Sequence, residues 1–321
     1  MRSRLLPGST LRFSEVGASL GHGGKPHTGW VESQGSIRLL QRLRSLGITF
    51  FDISGAADAA AWRHCLRQAF PIEDPELTLA VGVAEIDRFV GEDHARRGKD
   101  REAPRCSESA LERILADAAA QLGKVKIGIV MVSVPEDWSP HLETLARTLA
   151  DLISQRTIRA WGIECTARAA EGDALRTAIE RGAQVVAVPL SLLNDQTYLR
   201  IVSRISIEKA GLLARDPHAG GRLDGSWFAE PPFGGRPGQH PRRVSEFESE
   251  FEGVLSLGFL TADHQRTLAQ AAVQFCLARP GVLSVVLDSP SVGLAESLSR
   301  LEELPPIPPS DLERVGRTVP R

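Results

Sequence analysis

Asp52 closes a short apolar run, Ile48-Thr49-Phe50-Phe51, just before Ile53 and a loop of small residues, Ser54-Gly55-Ala56-Ala57. Such a run reads as a strand buried on both faces, and a carboxylate at its end is costly to bury without a partner. Other ionisable side chains stand at or just past the ends of further apolar runs: His22, Glu85, Glu136, Glu164, Arg215 with Asp216 and His218, and Asp288. Groups of this kind gathered at one end of a sheet shift one another's proton affinities. They suit proton transfer, with a carboxylate or imidazole as acid and base. Asp52 and Glu164 are the candidate catalytic pair, and replacing either should cost little stability. Arg215 is their expected counter-charge and a holder for an anionic group. His22, Asp216 and His218 are expected to face a substrate, and Trp30, with Trp227 and Phe228, to give it a flat apolar wall. No H-x-H or H-E-x-x-H spacing occurs, so no metal is expected. Cys65, Cys106, Cys165 and Cys276 form no C-x-x-C pair and read as buried thiols of a reducing compartment.

The elements that must carry these groups alternate along the chain. The spacing of apolar residues predicts helices over 36–46, 60–69, 107–122, 141–154, 167–181, 197–209, 267–279 and 292–301. It predicts strands over 48–53, 77–83, 126–132, 158–163, 185–189, 211–215 and 282–287, with a tail from 305. Strand then helix, repeated about eight times, is the pattern of a (β/α)8 barrel, whose active site is built at strand C-termini. No G-x-G-x-x-G follows a strand, as a dinucleotide-binding open sheet would require. The charged segment 87–105 and the Pro- and Gly-rich segment 226–249 read as loops, since barrel elements continue after both. A chain of 321 residues with 42% hydrophobic residues fits one barrel domain over 1–321. A net charge of −2 offers no nucleic-acid surface. The absence of a long apolar run and of a secretory leader points to a cytoplasmic protein without a membrane partner. Arginine far outnumbers lysine, which fits a bacterial source of high GC content.

The stretch "GITFFDISGA" resembles "G-[IV]-x-x-[FI]-D-T-A-x-x-Y-G" of the aldo-keto reductases. "IRAWGIE", "LLARDPHAGGRLDG" and "TLAQAAVQFCLARPGVLSVVL" resemble later segments of the same family, in matching order. The resemblance implies a (β/α)8 TIM barrel with an N-terminal β-hairpin, residues 4–24 being that hairpin and the first barrel strand, 14–19. It also implies hydride transfer from a nicotinamide to a carbonyl, served by an Asp, Tyr, Lys and His tetrad. Asp52 matches the Asp, but Ala57, Gly82 and Ser133 stand at the other three positions. Ser133 therefore joins the expected substrate-facing residues. The family's nicotinamide-holding positions carry Glu164-Cys165, Ala187 and Arg215, and its phosphate loop carries Asp288. The expectation is a relative that has lost hydride transfer and binds no cofactor. It would perform acid–base chemistry (dehydration, isomerisation or cyclisation) on a small molecule in a bacterial biosynthetic pathway. The alternatives are a non-catalytic subunit with a protein partner and a divergent NADPH-dependent oxidoreductase.

Overall fold

The structure, a computed structural model, describes residues 1–20, 34–56, 58–82, 108–133, 140–165, 173–226, 251–262, 265–288 and 290–318. It opens with a hairpin. Strands β1 (Ser3–Leu5) and β2 (Arg12–Ser14) pair antiparallel, Ser3 opposite Ser14 and Leu5 opposite Arg12. Gly8 lies in the turn with φ 68°, a conformation that glycine adopts without strain. Leu6, Leu11 and Phe13 are fully buried and belong to the barrel's inner core, so the hairpin plugs one end. Phe13 packs edge-on against Phe50, ring centroids 5.0 Å apart.

Eight parallel strands then close into a barrel: β3 (Val16–Ser19), β4 (Phe50–Asp52), β5 (Thr78–Gly82), β6 (Ile127–Ser133), β7 (Ala160–Glu164), β8 (Val185–Pro189), β9 (Gly211–Arg215) and β10 (Val282–Leu287), the last pairing back onto β3. The helices between them are α1 (Gln34–Ser45), α2 (Ala59–Ala69), α3 (Glu108–Leu122), α4 (Pro140–Ser154), α5 (Ala174–Glu180), α6 (Gln196–Val202), α7 (Leu268–Leu277) and α8 (Val292–Ser299). This is the (β/α)8 barrel with an N-terminal hairpin that the sequence implies.

Successive strand residues face opposite sides, and the two hydrophobic clusters follow that alternation. Phe50, Ala80, Met131, Ala187, Leu213 and Val286 point inward. Phe51, Val81, Val132, Val188, Ala214 and Val285 pack outward against the helices. Both faces are buried, which is why these strands read as continuous apolar runs. The same parity sends the strand-end residues Ser19, Asp52, Gly82, Ser133, Glu164 and Arg215 to the inside, at the end opposite the hairpin.

Several boundaries shift by one to three residues, Ser14 for instance falling in the hairpin and not in the first barrel strand, and two departures are larger. The helix predicted over 197–209 stops at Val202, where the Ser203 hydroxyl donates to the Arg200 carbonyl at 2.8 Å and the next amides make only short-range turns. The tail predicted from 305 carries a helix, α9 (Pro309–Thr318), that starts on a proline and buries Val315. No helix among the described residues is long and apolar enough to cross a membrane.

Candidate functional site

Strand parity places Asp52 inside the barrel, and the Asp52 side chain is wholly buried. Its Oδ1 accepts the Ser54 backbone N–H at 2.7 Å, and its Oδ2 accepts from Arg215 Nη2. Arg215 reaches it from the far side of the mouth, at the inner end of β9, with 8% of its surface exposed. The same Nη2 lies 3.2 Å from Glu164 Oε1 and 3.3 Å from Ser54 Oγ. Ser54 Oγ in turn donates to Glu164 Oε1 at 3.1 Å. Three strands and one loop thus meet on a single guanidinium nitrogen. Ion pairs of this kind, hydrogen-bonded and desolvated, are the ones that fix geometry. The Glu164 side chain keeps 27% exposure, so only one of the two carboxylates is reachable from solvent.

The position at which the resemblance implies the family's lysine is closed by packing. Gly82, at the end of β5, faces the Ser54 backbone. A Cβ there would lie 2.7 Å from the Ser54 carbonyl carbon and closer still to its oxygen. No side chain fits on this backbone, and the cation beside Asp52 comes from β9 instead.

The sole tyrosine of the chain, Tyr198 on α6, lies in the outer layer. Its hydroxyl donates to the Pro280 carbonyl at 3.1 Å, and burial raises the phenol's pKa. Cys165, next to Glu164, is a buried thiol whose pKa burial raises to about 11, so it supplies no thiolate nucleophile near neutral pH.

The other expected site residues divide. Ser133, exposed at the end of β6, sits beside Glu164 in register. Asp216 and His218 line a cleft of about 970 Å³ between the loop after β9 and the starts of α7 and α8. His22 and Trp30 lie outside the described residues, as do Ala57, Glu85, Glu136, Trp227 and Phe228. Ser54 was not expected; a serine two residues past a strand-end aspartate is an Asx-turn signal that could have found it. Ser19, the inward residue opposite Asp52 on β3, was missed too.

The cleft tests the family's cofactor. Its size suits an extended ligand, and it follows β9 and β10, where the resemblance implies nicotinamide and phosphates. Among the described residues, however, its lining carries Asp216, Asp224 and Asp288 and neither lysine nor arginine. One N–H at each adjoining helix start is already spent: Gln270 N–H on Thr267 Oγ1 at 3.2 Å, and Leu294 N–H on Ser291 Oγ at 3.2 Å. Asp288, where the resemblance implies the phosphate loop, would repel a phosphate. The described residues of the cleft fit NADPH poorly. Among the described residues no three His, Cys, Asp or Glu side chains group to hold a metal.

His218 is buried between Asp224, whose Oδ2 lies 3.5 Å from Nδ1, and the Ala269 carbonyl, 3.3 Å from Nε2. Burial lowers its pKa, partly offset by Asp224. Burial also raises that of Asp216, offset by the Gly220 N–H. Below about pH 6.5, the ordinary histidine value, the unfolded chain binds a proton that folded His218 resists. Its contribution to stability therefore falls as pH drops. The Asp216 contribution runs the other way, rising as pH falls through its raised pKa. His218→Gln should flatten the loss of melting temperature between pH 7 and pH 5 measured by calorimetry. An unchanged slope would show that His218 takes up its proton in the fold.

The family model for the aldo/keto reductase family matches residues 19–318. The chain belongs to the aldo/keto reductase family. It is similar in fold to the aldo-keto reductase AKR11C1 from Bacillus halodurans. Against the holo form the TM-score is 0.73 at 18% identity, covering 100% of this chain and 97% of that one. Against the apo form it is 0.64 at 17% identity, covering 100% and 96%. A thermostable aldo-keto reductase, Tm1743, in complex with the inhibitor epalrestat, gives 0.71 at 14% identity, covering 99% and 100%. No curated protein matches the sequence.

Proposed function

We propose that this protein is an aldo-keto-reductase-like barrel that has lost hydride transfer and performs cofactor-independent acid–base chemistry on a small molecule. Dehydration, isomerisation and cyclisation are the reaction types, in a bacterial, cytoplasmic biosynthetic pathway, with residues 1–321 acting as one barrel domain. The observation that carries this reading is the Asp52–Arg215–Glu164 cluster tied together by Ser54. Glu164, partly exposed, exchanges the proton. Asp52, wholly buried, acts through Arg215 by fixing the guanidinium. Ser133, beside Glu164, and His22 and Trp30 from the loops are proposed to complete the substrate's surroundings, with Asp216 and His218 in the adjoining cleft.

Loss of the tetrad supports this reading. Gly82 has no room for the family's lysine, and the sole tyrosine is committed to Pro280. Arg215 holds a salt bridge where the resemblance implies a ring stacked on the nicotinamide. The stability expectation changes for Asp52 alone. Asp52→Asn removes the wholly buried one of the two carboxylates on the guanidinium, leaving Glu164 as its counter-charge, and should cost about 1–3 kcal/mol, read by denaturant titration. It should also shift the pH–rate profile of turnover, which a purely structural effect would leave in place.

The second reading is an NADPH-dependent oxidoreductase, favoured by family membership and by the size of the cleft. Calorimetric titration separates the two. The proposal expects no sub-micromolar binding of NADPH or NADH, that is, weaker than about −8 kcal/mol. Tighter binding would restore the reductase reading. The substrate is to be found by comparing metabolites with and without the gene. Purified protein that converts none of the compounds so found, and instead co-purifies with a second protein, would favour the partner-subunit reading.

A further inference from the structure

We infer that the barrel mouth takes a neutral carbonyl compound, holds its oxygen on Arg215 Nη1, and enolises it with Glu164 as the base. The inference rests on the acid–base reading and names the substrate class for the same site. Its starting point is an asymmetry in the guanidinium. Nη2 faces Asp52 Oδ2, Glu164 Oε1 and Ser54 Oγ, three acceptors on one nitrogen. Nη1 is buried and has no hydrogen-bond partner. A guanidinium is built to donate from both forks, and buried donors left unpaired are rare in folded proteins. Ser19 Oγ, on the strand next to Asp52 and at the same end of the barrel, is also buried without a partner. Both atoms are closed off from solvent, so a polar guest would reach them only by displacing the packing over the mouth, and it would find two unsatisfied partners there beside a salt-bridged cluster.

Charge selects the guest. Among the described residues the cluster holds two carboxylates against one guanidinium, so an anionic guest would add a third negative group. A neutral carbonyl oxygen accepts from Nη1 without that repulsion. It gains charge only as the reaction proceeds, and Glu164 loses charge in the same step. Glu164 carboxylate takes a proton from the carbon next to the carbonyl. The C–H electron pair becomes a C=C bond, and the carbonyl π pair moves onto oxygen. The negative charge has then passed from Glu164 to the enolate oxygen, both within reach of one guanidinium, with the net charge of the site unchanged. Donors already in place where charge develops are the main electrostatic source of catalysis. With an α-hydroxy carbonyl, the hydroxyl proton passes to the enolate oxygen and protonated Glu164 returns its proton to the former carbonyl carbon, completing an isomerisation; with a β-hydroxy carbonyl, it protonates the hydroxyl, which leaves as water and completes a dehydration.

The test needs no knowledge of the natural substrate. The protein is incubated in D2O with hydroxyacetone, dihydroxyacetone and cyclopentanone, and loss of the α-proton signals is followed by NMR. The wild type should accelerate exchange of at least one probe over buffer by about 100-fold or more. Glu164→Gln should return it to the buffer rate. Arg215→Lys, which keeps a cation beside Asp52 but removes Nη1, should lower it at least about tenfold. No acceleration by the wild type, or acceleration that survives Arg215→Lys, overturns the inference. Should Arg215→Lys not fold, as judged by circular dichroism, the carbonyl 13C resonance of labelled dihydroxyacetone decides. A downfield shift on binding the wild type supports the contact with Nη1, and an unmoved resonance overturns it. If no probe exchanges while Glu164→Gln still abolishes the native conversion, enolisation falls and the acid–base reading stands. If Glu164→Gln leaves that conversion intact, both fall.

Discussion

Glu164→Gln should abolish the native conversion and leave the barrel standing. The amide has the shape of the carboxylate, and its oxygen can still accept from Ser54 Oγ and Arg215 Nη2, two contacts that seat Glu164. The side chain is 27% exposed, so the change removes no fully desolvated charge. What disappears is the ability to take and return a proton. Loss of a positioned general base or acid typically costs about 10²–10⁴-fold in rate, and here no second reachable base stands on the same guanidinium, because Asp52 is wholly enclosed. Turnover of the native substrate and the denaturant midpoint should therefore separate: the first collapses and the second moves by less than about 1 kcal/mol, as is usual for surface-accessible substitutions. Full turnover by the variant would remove Glu164 from the chemistry. A variant that unfolds would show that the glutamate holds β7 to the loop after β4.

How far the site was legible depended on what each residue's role rests on. Asp52, Glu164 and Arg215 could be found because a charge at the end of a buried strand is conspicuous in an apolar context, and barrel topology brings strand ends together. That one guanidinium nitrogen would face both carboxylates was foreseeable only as a charge balance; the distances come from the radius of the closed barrel. Ser19 was invisible, and Ser54 showed only as an Asx-turn signal, for the opposite reason. Serines next to loops are common, and only strand parity and the Asp52 hydrogen bond give them meaning. Asp216 and His218 were expected to face a substrate; they line the cleft after β9, where Asp216 takes a left-handed backbone, φ 51°. The helix Pro309–Thr318 went unpredicted because its short apolar stripe is thin and follows prolines that also read as a tail. His22 and Trp30 stand as sequence expectations alone.

Gly82→Lys should fail to restore a reductase, and Gly82→Ala alone should already destabilise the protein. The resemblance places the tetrad lysine at this position, so the obvious repair of the family's chemistry is to return Lys at 82 together with Tyr at 57. The packing forbids it. A Cβ on Gly82 would sit 2.7 Å from the Ser54 carbonyl carbon and 2.9 Å from its Cα, in backbone that cannot rotate away as a side-chain tip would. To admit it, the loop after β4 has to move. That movement pulls on the Ser54 N–H held by Asp52 Oδ1 and on the Ser54 hydroxyl held by Glu164. Overpacking of this kind costs about 1–3 kcal/mol and sometimes more. Here it also loosens the carboxylate cluster that Arg215 balances. An added lysine would meet a guanidinium already paired with Asp52, placing like charges side by side. Gly82→Ala is therefore expected to lower the denaturant midpoint measurably and to reduce native turnover. Gly82→Lys with Ala57→Tyr is expected to show no NADPH-dependent reduction of generic aldehydes. If Gly82→Ala is as stable and as active as the wild type, the loop yields freely and the clash has no force. If the double variant reduces aldehydes at ordinary enzyme rates, the barrel mouth has kept the family's cofactor site, and the acid–base reading gives way to the reductase.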